Sequence, residues 1–178
     1  MSNNIIIKNK IDSFNKTIKV SSDKSISIRT ILLASQAAGI SRISNLLESE
    51  DVINALKSIK KLGIKYTKIN DVYYIHGFGL NSFVEKKNIT IDAGNSGTLA
   101  RLILGLLIKS KSNVKLTGDK SLSKRDFLRI IEPLKKFGAV FFPSNKKNLP
   151  ISILGSDLIR PIKYQENIGS AQCKSSVM

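Results

Sequence analysis

The sequence predicts an α/β (α+β) fold of repeated βαβαββ units, with about two and a third units present in the chain. Three observations predict it. Segments with helical spacing of apolar residues alternate with short strand-like segments, cap signals flank the helices, and the whole arrangement recurs. Ser25, Ser96 and Ser170 mark corresponding points of the recurrence, 71 and then 74 residues apart. Repetition at a nearly fixed period indicates units of about 70 residues that stack on one another.

The clearest unit surrounds Gly94 and Gly97. Residues 90–92 complete a strand, the two glycines permit a tight turn, and apolar residues of helical spacing follow from Leu99 onward. A turn that opens a helix directs free N–H groups to one side, with the positive end of the helix dipole behind them. Arg101 lies about one turn further along. This stretch therefore predicts an anion-binding turn.

The same arrangement begins at residues 20–25, ahead of a helix over 26–38 that carries Arg29 one turn in, and it begins again at residues 168–174. The remaining elements follow from caps and alternation. They are a leading strand within residues 1–19, a strand over 41–47, a helix from Val52 to Gly63, and a hairpin over 65–74 that turns at Asn70 and Asp71. The second unit continues with a strand over 114–118, a helix from Ser123 to Gly138 kinked at Pro133, a strand pair over 140–154, and the third unit starts at 161–165.

Composition excludes several classes of protein. No apolar run reaches the ~18 residues that a membrane helix needs, and the first residues lack a signal peptide, so we expect a cytoplasmic protein. The single cysteine, Cys173, excludes an internal disulfide bond. His76 is the only histidine, which gives a metal site almost no support, and we expect it to be a strand residue.

The formal charge of +16 admits a solvated lysine-rich surface, nucleic-acid binding, or small anionic substrates. Nucleic-acid proteins usually combine a basic cluster with stacking aromatic residues. Here the lysines are scattered, only 6% of residues are aromatic and tryptophan is absent, so we expect no nucleic-acid partner.

Five motifs of this chain, in order and spacing, resemble the N-terminal part of the 5-enolpyruvylshikimate-3-phosphate (EPSP) synthase family, the 3-phosphoshikimate 1-carboxyvinyltransferases. They are residues 23–29 (DKSISIR), 46–51 (LLESED), 94–101 (GNSGTLAR), 118–125 (GDKSLSKR) and 169–175 (GSAQCKS). The resemblance implies two similar domains, each of three βαβαββ units, and agrees with the repeat identified above. It implies that residues 1–20 belong to the other, mostly missing domain and that residues 21–178 form an incomplete substrate-binding domain.

The resemblance also implies the reaction. The enolpyruvyl group of phosphoenolpyruvate moves to the 5-hydroxyl of shikimate 3-phosphate and phosphate is released, without a metal or an organic cofactor. Lys24 would lie between both substrates, as the catalytic residue of this part, and Ser25, Arg29, Ser170 and Gln172 would hold shikimate 3-phosphate. Asn95, Gly97, Arg125 and Gln172 would hold phosphoenolpyruvate together with Lys24. Arg101 and Lys174 are second choices, for which a structural ion pair or a solvated helix face serves equally well.

Two alternatives stay open. One is the related transferase that acts on UDP-N-acetylglucosamine, although that enzyme usually carries a cysteine in the loop matching residues 117–125 and this chain has none there. The other is a non-catalytic half-protein that only binds anions. The resemblance further implies that the carboxylates for proton transfer lie in the second half of the family's length. We therefore expect little turnover from this chain alone and a monomer when complete.

Overall fold

A computed structural model describes residues 6, 8, 13, 15, 17, 18, 20–81, 83, 87–167 and 169–178. The strand expected within residues 1–19 lies mostly outside the described residues, and those described there belong to no strand. From residue 24 onward helices and strands alternate in the predicted order. The alternation produces two sheets, one for each complete repeat unit.

The first unit contains α1 (Lys24–Gln36), β1 (Ala38–Ser44), α2 (Glu50–Lys61), β2 (Lys65–Ile69) and β3 (Val72–Phe78). Its strands form an antiparallel sheet in the order β1-β3-β2, and His76 lies in β3 as predicted. The hairpin turns at Asn70 and Asp71, whose φ angles of 47° and 61° suit a tight two-residue turn between twisted strands. Among the described residues β1 pairs only with β3, and no described strand pairs with its other edge.

The second unit contains β4 (Asn88–Asp92), α3 (Gly97–Leu106), β5 (Asn113–Thr117), α4 (Leu128–Phe137), β6 (Val140–Phe142) and β7 (Ile151–Leu154). The sheet order is β4-β5-β7-β6; β4 and β5 run parallel and the other pairs are antiparallel. This unit realises the predicted βαβαββ order in full. The third unit is represented by α5 (Ala171–Val177), whereas the strand expected over 161–165 is not formed.

Several predicted boundaries are wrong. The helix expected over 26–38 is α1, which ends at Gln36, and the strand expected from residue 41 begins at Ala38. The helix expected from Ser123 begins at Leu128, because Ser123 lies in a separate 3₁₀ turn, Leu122–Lys124. The Asp119 carboxylate fixes that turn by accepting a hydrogen bond from the Leu122 amide at 2.7 Å, and the extended backbone of Arg125 then separates it from α4.

The helices and sheets enclose one apolar core. Ile28 and Ile31 of α1 and Ile59 of α2 are fully buried, and Leu99 and Ile103 of α3 are buried to the same degree. Helix α3 contacts α1, α4 and α5, so it occupies the centre of the layer of helices. Close packing of this kind fixes the relative positions of the helix N-termini, which is where the candidate functional residues lie.

Candidate anion-binding site

Corresponding helices of the three units start with a side-chain cap. The Asp23 carboxylate accepts a hydrogen bond from the Ile26 amide, the Ser96 hydroxyl accepts from the Leu99 amide, and the Ser170 hydroxyl accepts from the Cys173 amide. The corresponding positions are therefore 23, 96 and 170, and the predicted equivalence of Ser25 with Ser96 and Ser170 is wrong by two residues. Ser25 instead corresponds to the second residue of each later helix, Thr98 and Gln172.

Gln172 connects the starts of α3 and α5. Its amide oxygen accepts a hydrogen bond from Arg101 Nη1 at 3.0 Å, and its amide nitrogen donates to Thr98 Oγ1 at 2.9 Å. Arg101 Nη1 also lies 3.4 Å from the Gly97 carbonyl oxygen. Both ends of the glutamine amide are thus engaged, which fixes its orientation. Arg101, a second choice in the sequence, lies inside this network.

Two loops meet beside the N-terminus of α3. The Asp119 amide donates to the Gly94 carbonyl, and the Asn95 amide nitrogen donates to Asp119 Oδ2 at 2.6 Å. The Asn95 amide oxygen then accepts from Arg125 Nη2 at 3.3 Å. Hydrogen bonds from Asn95 and the Leu122 backbone lower the pKa of Asp119, so its carboxylate stays ionised and holds the loop. This arrangement brings Asn95 and Arg125 together.

Gly97 lies directly under two guanidinium groups. A Cβ at this position would lie 2.7 Å from Arg101 Nη1 and 2.9 Å from Arg125 Nη1. The absence of a side chain therefore lets both cations approach the first turn of α3. Cations at a helix N-terminus face the positive end of the dipole, which is unfavourable unless an anion lies between them.

The guanidinium group of Arg101 lies in an unusual environment. It is half-buried and its Cζ lies 5.2 Å from the centre of the Phe127 ring. Burial, together with the charges of Arg125 and Arg129, lowers the pKa of Arg101, while the nearby Cys173 thiol acts in the opposite direction. No carboxylate among the described residues forms an ion pair with Arg101 or Arg125. Their polar partners are neutral, which leaves their positive charge available to a ligand.

Lys24 is arranged differently. It is the first residue of α1, and its Nζ lies 2.8 Å from Asp51 Oδ2 in the first turn of α2. The Lys24 side chain is 51% exposed and the Asp51 side chain 15% exposed. The ion pair directs the ammonium group along the start of α2. No hydrogen bond of the described residues links Lys24 or Ser25 to the network around Gln172.

Arg29 lies at the junction of three helices. It lines an apolar cavity of about 290 Å³ with Leu102 and Leu106 of α3 and with Ser175 of α5. Its Nη1 is buried and has no hydrogen-bond partner in the described part of the chain. A buried guanidinium nitrogen without an acceptor is costly, and a ligand carboxylate or phosphate would satisfy it.

The candidate residues at the start of α5 lie in different environments. Ser170 uses its hydroxyl oxygen as the cap, which leaves the hydroxyl proton free to be donated. Lys174 is exposed and Cys173 is buried in the core. Ser176, which sequence reasoning did not single out, donates to the Arg101 carbonyl at 2.7 Å and connects α5 to α3.

Neither a metal cluster nor a membrane helix is found in the described segments. No three His, Cys, Asp or Glu side chains within them are grouped so as to hold a metal ion. None of the helices in the described segments has the length and apolar character to cross a bilayer. The expectation that the reaction needs no cofactor stays a prediction.

Besides Ser176, sequence reasoning missed Asp51, Thr98 and Phe127 as contributors. Their roles arise from contacts with Lys24, Gln172 and Arg101, respectively. Asp51 and Thr98 carried a signal, because they lie in two of the five motifs described above, residues 46–51 and 94–101, whereas Phe127 carried none.

The fold and the site together define a class of protein, an α/β repeat protein in which basic side chains lie beside helix N-termini. The family model for EPSP synthase (3-phosphoshikimate 1-carboxyvinyltransferase) matches residues 8–178. The chain belongs to that family.

Relatives agree with this assignment. The chain is 44% identical over 168 residues to the 3-phosphoshikimate 1-carboxyvinyltransferase of Ruthia magnifica subsp. Calyptogena magnifica, covering 94% of this chain and 38% of that protein. It is 36% identical over 173 residues to that of Streptococcus suis, covering 97% and 40%. An EPSP synthase structure from Acinetobacter baumannii superposes with a TM-score of 0.82 at 34% identity, covering 90% and 36%. The chain thus spans well under half the length of these relatives.

Proposed function

We propose that this chain serves the transfer of the enolpyruvyl group from phosphoenolpyruvate to the 5-hydroxyl of shikimate 3-phosphate, with release of phosphate. Membership of the EPSP synthase family supports the reaction, and the relatives above carry the name of that activity rather than that of the UDP-N-acetylglucosamine transferase. The proposed contribution of the chain is a substrate-binding surface. In this proposal residues 21–178 are an incomplete domain and residues 1–20 belong to the other domain.

The substrates suit the charges of the site. Each carries a carboxylate and a phosphate, so both together bring several negative charges close to one another. Such a ligand pair calls for guanidinium groups, an ammonium group and helix N-termini. The convergence of Arg101 and Arg125 over Gly97, where no carboxylate of the described residues pairs with them, is the observation that carries the proposal.

Shikimate 3-phosphate would lie along the starts of α1 and α5. The buried, unpartnered Nη1 of Arg29 would receive one of its anionic groups, with Ser25 beside it on the same helix. Ser170 would donate its free hydroxyl proton to the phosphate. Gln172, already oriented by Arg101 and Thr98, would face the reacting region.

Phosphoenolpyruvate would lie over the first turn of α3. The missing side chain at Gly97 lets the guanidinium groups of Arg101 and Arg125 approach it there, Arg125 binds its charge, and Asn95 keeps Arg125 in place. Lys24 would lie between the two substrates and exchange its ion pair with Asp51 for contacts with them. An ammonium group in that position both balances charge and can donate a proton to an oxygen atom.

Titration of the whole chain tests the proposal. Shikimate 3-phosphate should bind at least about tenfold more tightly than UDP-N-acetylglucosamine or an oligonucleotide at ~0.15 M salt. Lys24→Met should weaken that binding and Arg125→Ala should weaken the binding of phosphoenolpyruvate, whereas Lys115→Met, which removes an exposed charge on β5, should change neither. Tighter binding of the UDP-sugar or the oligonucleotide would contradict the proposal.

A phosphate-release assay with both substrates addresses catalysis. We expect little or no turnover from this chain alone, because the proton-transfer carboxylates are assigned to the part of the family's length that it does not span. Turnover at a rate typical of enzymes, about 1 s⁻¹ or more, would show that this assignment is wrong.

We further propose that the protein is cytoplasmic, is a monomer when complete, and has neither a nucleic acid nor a membrane as a partner.

A further inference from the structure

A third arginine lies beside the two that converge over Gly97. Phe127, which is fully buried, is the N-cap residue of α4, and its ring lies under the Arg101 guanidinium at 5.2 Å. The first turn of α4 is therefore held next to Arg101. Arg129 is the second residue of that turn and its side chain is exposed, so the guanidinium is accessible from solvent.

The three arginines are close enough to repel one another. The charges of Arg125 and Arg129 both contribute to the lowered pKa of Arg101. None of the three forms an ion pair with a carboxylate of the described residues; the three ion pairs there involve Lys24 and Lys68. Like charges held together without a counterion destabilise the free protein, and a bound anion removes that cost.

Arg129 also borders a groove of about 380 Å³ between α4 and the extended residues 162–167. Lys136 and Lys163 line the same groove, opposed by the carboxylates of Glu132 and Glu166. The Tyr164 hydroxyl donates to Glu166 Oε2 at 2.6 Å, and Glu166 therefore already has a partner. Arg129 thus lines the groove and lies in the turn of α4 that Phe127 holds beside Arg101.

We propose that Arg129 is a further anion-binding residue of this site and holds a charged group of a small ligand that carries both a phosphate and a carboxylate. Three guanidinium groups present more positive charge than one phosphate needs, and they come from α3, the loop before α4, and α4 itself. A ligand with two anionic groups matches that distribution. This inference rests on the proposed function and adds a residue to its binding surface.

Binding measurements on the full chain test this role. The dissociation constants of shikimate 3-phosphate and of phosphoenolpyruvate are measured for the parent and for Arg129→Gln, Arg129→Lys and Lys136→Gln across a range of salt concentrations. Lys136→Gln is the matched control, because this substitution removes one charge from the same groove, about 10 Å further along the same helix. Thermal unfolding of each variant confirms that it is folded.

Arg129→Gln should weaken the binding of at least one of the two ligands by about tenfold or more. It should also reduce the salt dependence of that binding. Arg129→Lys should restore part of the loss, and Lys136→Gln should change either constant by less than about twofold. If Arg129→Gln stays within twofold of the parent for both ligands while Arg125→Gln weakens binding, the role of Arg129 is overturned and the proposed function stands. If the parent binds neither ligand, both proposals fail.

Discussion

The two repeat units share an order of elements but differ in the partners of the basic residue at the start of the unit. In the first unit the leading cation, Lys24, is neutralised by Asp51 of the same unit. In the second unit Arg101 and Arg125 have an amide, a carbonyl group and an aromatic ring as neighbours, and no carboxylate of the described residues pairs with them. Repetition therefore supplies a common scaffold, while the side chains around each helix start decide how much charge is left for a ligand.

A glycine in each unit sharpens the contrast. Gly77 of β3 faces backbone, since a Cβ there would overlap the carbonyl oxygens of Ala34 and Ala37 at the end of α1. Gly97 of α3 faces only the ends of flexible side chains, the guanidinium groups of Arg101 and Arg125. Gly77 allows α1 and β3 to pack closely, and Gly97 leaves room for two guanidinium groups beside the start of α3.

The largest effect is expected for Gly77→Ala. Backbone carbonyls cannot move aside without shifting α1 relative to β3, so the free energy of unfolding should fall by about 3 kcal/mol. Urea unfolding followed by far-ultraviolet circular dichroism measures it. A loss below about 0.5 kcal/mol would mean that α1 and β3 are not in close contact in solution.

Gly97→Ala should separate binding from stability. A gain in helix propensity of up to about 1 kcal/mol offsets the displacement of two flexible side chains, so the unfolding free energy should change little. Phosphoenolpyruvate binding should weaken by about tenfold or more, because the guanidinium groups lose their place over the helix start. Calorimetric titration beside the unfolding experiment measures both. A variant that binds normally would exclude the first turn of α3 as part of the site.

Asp51→Asn would make the first unit resemble the second. Without its counterion Lys24 should hold an added anion more firmly, and the affinity for inorganic phosphate should rise about threefold. The control is Asp71→Asn, which removes a carboxylate from an exposed hairpin turn. Weaker phosphate binding by Asp51→Asn would instead assign the carboxylate to orienting Lys24.

The smallest effect concerns the hairpin of the first unit. Burial, then the hydrogen bond to Glu48, raises the pKa of Tyr73 to about 12. The folded protein therefore keeps a proton that the unfolded chain releases near pH 10, and this contribution to stability is lost as the pH rises from 10 to 12.

Tyr73→Phe should cost about 0.5 kcal/mol at neutral pH and should make unfolding less sensitive to pH between 10 and 12. Tyr66→Phe, which changes the neighbouring ring, serves as the control. Equal alkaline sensitivity of the parent and Tyr73→Phe would show that the phenol is not protected in the fold.

The sequence allowed the repeat, the order of elements and the hairpin at Asn70 and Asp71 to be predicted, because each depends on residues close together in the chain. Cap residues mark the helix starts for the same reason. The start of α4 could not be predicted, because it depends on how Asp119 and Arg125 shape the preceding loop.

The geometry of the site could be predicted from the sequence to a smaller extent. Arg101 and Gln172 meet although 71 positions separate them, and only the packing of α5 on α3 brings them together. The ion pair between Lys24 and Asp51 likewise depends on how α2 lies against α1. The resemblance to a family predicted the candidate residues, whereas the residues that contact them were identified from the tertiary structure.

The edge of β1 that pairs with no described strand has a consequence for how the chain behaves at high concentration. An edge strand with unpaired backbone groups is a template for another strand, and β1 carries only one charged side chain, Arg42, to oppose this. The net charge of +16 supplies a second protection, because like-charged molecules repel one another at low ionic strength. Concentrated salt shortens the range of that repulsion to a few ångströms. Colloidal stability should therefore be greatest in dilute buffers well below the isoelectric point, and precipitation by salt should begin at this strand.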